Sequence, residues 1–132
     1  MLGTHIDLLE DIMIISLLKI TSLSKKRDAV FDILQSVIDC TRGLPGCLGS
    51  TYYEEGKKEG TVLYVEKWAT KEALHRHIRS DLYQRLISVM ELAVESPEIR
   101  FHEVSQSMGM ELVETLRSDI SVPDCLLGRE VS

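Results

Sequence analysis

A chain of 132 residues, 44% apolar and 27% charged, suits one folded domain and is too short for two independent cores. With 21 acidic against 15 basic residues its formal charge is −6, which argues against a nucleic-acid partner, because phosphate binding needs a basic surface to release counterions. No stretch approaches the roughly 20 apolar residues that cross a bilayer, and the opening segment carries Asp7, Glu10 and Asp11 with no basic run before an apolar core; no membrane association, no signal peptide and a cytoplasmic location are expected.

Residues 1–12 read as an N-terminal extension, either a native arm or the product of an upstream start codon. Met13 to Ile20 is aliphatic in both alternating sets, the pattern of a strand buried on both faces. Ser24 offers a helix N-cap, and Val30, Ile33, Leu34, Val37 and Ile38 follow at helical spacing, so a helix is expected over about residues 25–42. Gly43 suits its C-cap and Pro45 prevents continuation. Cys40 reads as a small apolar filler on this helix. The cysteines (Cys40, Cys47 and Cys125) are odd in number and form no Cys-x-x-Cys pair, so no disulfide framework or redox motif is expected.

Ser50-Thr-Tyr-Tyr53 favours a second strand, Glu55 to Gly60 a polar turn, and Thr61 to Trp68 a third strand, together a hairpin. Thr70 is an N-cap candidate with Glu72 in the first turn. Leu74, His77, Ile78, Leu82, Leu86, Val89, Met90 and Ala93 then form a second apolar stripe, with Ser80-Asp81 marking a bend or a restart. Pro97 closes the helical region and Ile99 to Val104 reads as the last strand. Met110 to Arg117 is a short amphipathic piece, and Met108 and Met110 read as packing residues. Residues 107–132 are expected to be a C-terminal extension, partly disordered or packed on a partner subunit.

The order strand–helix–strand–strand–helix–strand is the α+β, ferredoxin-like βαββαβ arrangement, a four-stranded antiparallel sheet with both helices on one face. The bare face should be polar in a monomer. It offers Met13, Ile15 and Leu17 from the first strand, or Ile14, Leu18 and Ile20, and similarly Leu63 and Val65, or Val62, Tyr64 and Trp68, from the third. Two helices cannot cover both faces, so a homodimer packed sheet against sheet is expected.

Tyr64-Val-Glu-Lys-Trp-Ala-Thr-Lys-Glu-Ala-Leu-His-Arg-His-Ile-Arg-Ser80 resembles the signature stretch of the antibiotic biosynthesis monooxygenase family: a strand ending Glu-x-Trp (Glu66, Trp68), then a capped helix with Ala73-Leu74, His77, Ile78 and Ser80. Leu44-Pro-Gly-Cys47 resembles the family's turn into the second strand, and the likeness extends over about residues 13–106, which sets the expected domain. The resemblance implies a dimeric α+β barrel. It also implies a range of roles, from metal-free and flavin-free oxidation of phenols or quinols to haem cleavage, so the site must be argued separately. One departure is Leu82, where many members carry a second His. The haem-degrading branch places a Trp where His77 stands and a haem-ligating His about three helical turns further on, where this chain has Ile87, so haem degradation is not expected.

Within this frame His77 is the candidate catalytic base toward a phenolic proton, since imidazole titrates near neutrality; the plainer alternative is a buried His bonded to a backbone carbonyl or to Glu66. Glu66 would orient it, with Arg76, Arg79 and His77 as its candidate partners. Trp68 and Tyr64, on the strand face shared with Glu66, would form aromatic walls for a flat ligand, with Leu74 and Ile78 completing the substrate-binding surface; Trp68 as a simple core anchor is the plainer role. His75 and His77 are two apart on a helix and diverge, and no Cys or Asp cluster completes a site, so no metal and no bound cofactor is expected. His102, on the last strand opposite in facing to Phe101, is given no role. The reading is a cofactor-independent monooxygenase of a small aromatic or quinol-like molecule. The rivals are a non-catalytic dimeric domain that binds a small molecule in the same pocket, and a structural domain whose pocket is filled by side chains.

Overall fold

The computed structural model describes residues 12–118; residues 1–11 of the expected N-terminal extension, and the expected C-terminal tail from 119 on, lie outside the described residues. In chain order the elements are β1 (Met13–Thr21), α1 (Arg27–Thr41), β2 (Cys47–Glu54), β3 (Thr61–Trp68), α2 (Lys71–Ile78), α3 (Asp81–Met90), β4 (Glu98–Val104) and α4 (Met110–Arg117). The four strands form one antiparallel sheet in the order β2-β3-β1-β4. This is the expected ferredoxin-like fold, with β1 and β3 paired at the centre.

Alternation sorts β1 and β3 cleanly. Ile14, Ser16, Leu18 and Ile20 are buried toward the helices, as are Val62, Tyr64, Glu66 and Trp68. Met13, Ile15, Leu17, Leu63 and Val65 point to the other face, which no helix covers, and are only half-buried or exposed. The core is two adjoining clusters. In the larger, Leu18, Ile20, Val62 and Tyr64 meet Val30, Leu34, Val37 and Ile38 of α1 and Tyr83, Leu86 and Val89 of α3. The smaller joins Ile14, Trp68, Ala73 and Leu74.

Several boundaries differ from expectation for identifiable reasons. Ser24 does not cap α1: it opens a 3-10 turn, Ser24–Lys26, and α1 starts at Arg27 without a side-chain cap. Cys40 is exposed and not a core filler. The buried stripe of α1 is Val30, Leu34, Val37, Ile38 and Thr41, and position 40 falls off it at 100° per residue. Gly43 keeps a negative φ; among the described residues the glycines with left-handed backbone are Gly46 and Gly60. The second helical region is two helices. Thr70 caps α2 by accepting from Ala73 N at 3.1 Å, and Ser80 caps α3 by accepting from Tyr83 N at 3.3 Å. Serine competes for backbone bonds in a helix interior and favours caps, so the restart expected at Ser80-Asp81 is what forms. α3 ends at Met90, before Ala93, which instead bridges to Ser22.

Candidate functional site

Residues two apart on a strand share a face, about 7 Å apart, so Tyr64, Glu66 and Trp68 rise side by side from β3. The register supplies the room. Glu66 lies opposite Ser16 on β1 and Ser50 on β2, two small buried residues. The Glu66 carboxylate is wholly buried, a placement that costs several kcal/mol unless the charge is met by hydrogen bonds. Three donors meet it. Tyr64 OH donates to Oε2 at 2.5 Å, Trp68 Nε1 donates to Oε1 at 3.0 Å, and His77 Nε2 lies 3.0 Å from Oε2. Tyr64 has one proton, spent on Glu66, so the Ser50 hydroxyl 2.8 Å away donates to the phenol oxygen.

His77 reaches this carboxylate from α2. Its ring lies between two aromatic side chains: Trp68 at 4.8 Å between centroids and tilted 33°, and Tyr83 of α3 edge-on at 5.2 Å. An ionised carboxylate can only accept, so Nε2 carries a proton and donates. That leaves Nδ1, which is buried and has no hydrogen-bond partner among the described residues. In the neutral ring Nδ1 holds a lone pair. Burial, with the nearby Glu66 charge, raises the Tyr64 phenol well above its usual range, and the same two causes push Tyr83 up to about 12. Both phenols therefore keep their protons at ordinary pH.

Against His77 lies a pocket of about 240 Å³, lined by Leu44, Pro45, Trp68, Ala73, Arg76, His77 and Ser80. Positions 73, 76 and 77 are spaced i, i+3, i+4, one face of a helix, so α2 forms one wall, continued by Ser80 at the N-cap of α3. The opposite wall is the loop before β2. Gly46 holds φ +85°, and a Cβ there would sit 2.5 Å from Cβ of Ala73. Only glycine lets this loop press so closely on α2. Its carbonyl accepts from Ala69 N at 2.8 Å, tying the loop to the end of β3.

The expected site residues separate into two groups. Tyr64, Glu66, Trp68 and His77 come together as one hydrogen-bonded cluster. Leu74 and Ile78 do not face its pocket: Leu74 packs behind Trp68 in the core, and with Ile78 it lines a separate hollow with Ile14, Lys71, His75, Phe101 and Glu103. Arg76 and Arg79 do not bond to Glu66, whose partners are all aromatic-ring donors. Sequence reasoning missed Ser50 and Tyr83; only the β2–β3 register and the helix break at Ser80 bring them in. A larger hollow of about 570 Å³ near the β2–β3 turn is lined by Arg27, Glu54, Glu55, Gly56, Lys57 and Glu59. It is a charged surface depression beside the Arg27–Glu54 ion pair at 2.8 Å. Among the described residues no group of three His, Cys, Asp or Glu side chains could hold a metal ion.

The family model of antibiotic biosynthesis monooxygenases matches residues 13–88, more than half of the chain and all of the cluster just described. The chain belongs to this family. An uncharacterized Synechocystis protein, sll1783, is 22% identical over 86 residues, a match spanning 64% of this chain and 58% of that relative's length. A conserved Methanosarcina mazei protein of known structure is 22% identical with a TM-score of 0.67, covering 72% of this chain and 95% of its own. A candidate antibiotic biosynthesis monooxygenase from Deinococcus radiodurans gives the same identity and TM-score, with 73% and 96% covered. At such identity these two structures share the family's fold, and the chemistry rests on the site.

Proposed function

We propose that the protein is a cofactor-independent monooxygenase of a quinol or phenolic small molecule, with His77 as its base. The observation that carries this reading is the buried, unpartnered Nδ1 of His77 beside an apolar pocket. A buried acceptor left without a donor costs about 1–3 kcal/mol, and a phenolic O–H in the pocket would supply the missing bond. Glu66, held by Tyr64 and Trp68, fixes the Nε2–H tautomer and stabilises the imidazolium that forms when Nδ1 takes the phenolic proton. Trp68 gives the ligand a flat aromatic wall.

The phenolate then passes one electron to dioxygen, and the resulting radical and superoxide join at a hydrogen-bearing ring carbon, para to the oxygen in a simple phenol and ortho to it in a para-quinol. The peroxide takes back the proton from His77. Loss of water, with the hydrogen of that ring carbon, leaves a quinone. One oxygen atom enters the product and the other leaves as water, and the substrate supplies all four electrons.

Replacing His77→Ala should lower turnover about 10²- to 10⁴-fold, the usual share of a positioned base. Ligand binding, read by fluorescence of Trp68, the one tryptophan of the chain, should persist. Turnover unaffected by the change sinks the assignment. The second reading is a domain that binds without turnover. It is favoured by Leu82, which leaves His77 as the one imidazole at the pocket among the described residues; binding with no oxygen consumption by the wild-type protein would select it.

A further inference from the structure

Among the described residues Arg76 is the one side chain with a permanent charge that lines the His77 pocket, and the proposed reaction gives it no task. Leu44, Pro45, Trp68 and Ala73 are apolar walls. Ser80 is already committed, its hydroxyl donating to the His77 carbonyl at 2.6 Å and accepting from Tyr83 N. The polar side chains left for a ligand are therefore His77, buried and with its Nδ1 unpartnered, and the largely exposed Arg76. The Arg76 side chain is 62% exposed, and its nearest acid, Glu72, stands at 3.9 Å, beyond hydrogen-bond distance and itself 88% exposed. Among the described residues the guanidinium makes no side-chain hydrogen bond, so its fork of donors is open to a planar anion.

The two side chains differ in what they tolerate. His77 adjoins the Glu66 carboxylate, where a second negative charge would be repelled in a medium that screens poorly. Arg76 offers a cation. At about 240 Å³ the pocket falls below the usual range for drug-sized ligands. We propose that this pocket selects small aromatic acids, bound with a phenolic hydroxyl inward at His77 and a carboxylate outward on Arg76. The inference rests on the reading that this pocket takes a phenolic ligand, and it makes Arg76 a specificity-determining residue.

The test is anaerobic titration of the full chain, following Trp68 fluorescence, with two pairs of probes: hydroquinone against 2,5-dihydroxybenzoate, and 1,4-dihydroxynaphthalene against 1,4-dihydroxy-2-naphthoate. The carboxylated member of each pair should bind about five- to tenfold more tightly, the range of a half-exposed charge-assisted pair. Arg76→Leu should remove that preference, lowering the affinity of the carboxylated member more than that of the neutral one, and Arg76→Lys should keep part of it. Arg76 is exposed, so the circular dichroism of each variant should match the wild type. Equal affinity within each pair, a preference that survives Arg76→Leu, or no quenching by either acid overturns the inference. If the preference is present and Arg76-dependent but no ligand consumes oxygen in air, the inference stands and the monooxygenase reading falls.

Discussion

Glu66 is the residue on which the site turns. Its charge is tolerated because three ring donors converge on it, and each of those donors is thereby fixed in place. Glu66→Gln keeps the shape but presents an amide N–H₂ to at least one donor. It should cost about 2–3 kcal/mol in urea unfolding, and it should lower kcat far more than it raises KM, because the tautomer of His77 is no longer enforced. Equal stability and rate would show that the carboxylate is incidental. The phenols give a separate signature. Tyr83 titrates near 12 in the folded chain against an ordinary value of 10.0, and Tyr64 is also raised. A group whose folded pKa is raised holds its proton longer in the folded state, so its contribution is complete below pH 10 and is lost as pH climbs through the folded value. Unfolding free energy should therefore fall from about pH 10 upward, by about 1.4 kcal/mol per pH unit for each phenol, and Tyr83→Phe should shallow that fall. The pairing of Glu66 with His77 was legible in the sequence as one alternative among several. The part of Tyr64 and Trp68 as donors to Glu66 was not, although their shared strand face was, because alternation gives a side chain's face but not the direction of its polar tip.

At the scale of elements, strand alternation was a reliable signal and helix caps a mixed one, since Ser24 does not cap α1 and Gly43 keeps a negative φ. Alternation placed Tyr64, Glu66 and Trp68 together, and Thr70 and the Ser80 restart were read correctly. The reading of one continuous stripe over α2 and α3 failed at Ile78, which is exposed and faces away from the pocket. Ile78 lies within α2, whose buried face is Ala73, Leu74 and His77, and at 100° per residue it falls off that face; the break at Ser80 resets the helical phase, which is why Tyr83 went unseen. Gly46 was read only as part of a turn, and the contact that demands it, the Cβ of Ala73, lies on an element 27 positions later in the chain. Gly46→Ala forces both a left-handed backbone on a residue with a Cβ and a clash at 2.5 Å. Thermal unfolding should show a loss of more than about 1 kcal/mol, and the loop should move off α2, so that affinity for a pocket ligand falls as well. A stable variant with intact binding would show that the loop does not shape the pocket.

At the scale of the whole molecule, the fold was legible from element order alone, and the uncovered sheet face was anticipated from the aliphatic residues in both sets of β1 and β3. That face carries Met13, Ile15, Leu17, Leu63 and Val65, with Tyr53 60% exposed at its edge. A contiguous apolar surface of this kind is seldom left in water, and we propose that a second copy covers it by symmetry. The pocket opens on the helix side and stays accessible in such a pair. Sedimentation should give twice the chain mass of 14.9 kDa, and Leu63→Asp, which puts a charge in the middle of the covered face, should return it to one. A wild-type mass of one chain would refute the pairing without touching the site.

The most direct test of the central claim is oxygen uptake by purified, metal-free protein given quinols and phenols, neutral and carboxylated, with and without catalase. Monooxygenation consumes dioxygen only when protein and substrate are both present and releases no peroxide, so catalase should leave the uptake unchanged; the uptake should collapse with His77→Ala. Uptake that catalase cuts by half would mean an oxidase releasing hydrogen peroxide, and uptake that ignores His77 would contradict the assigned base.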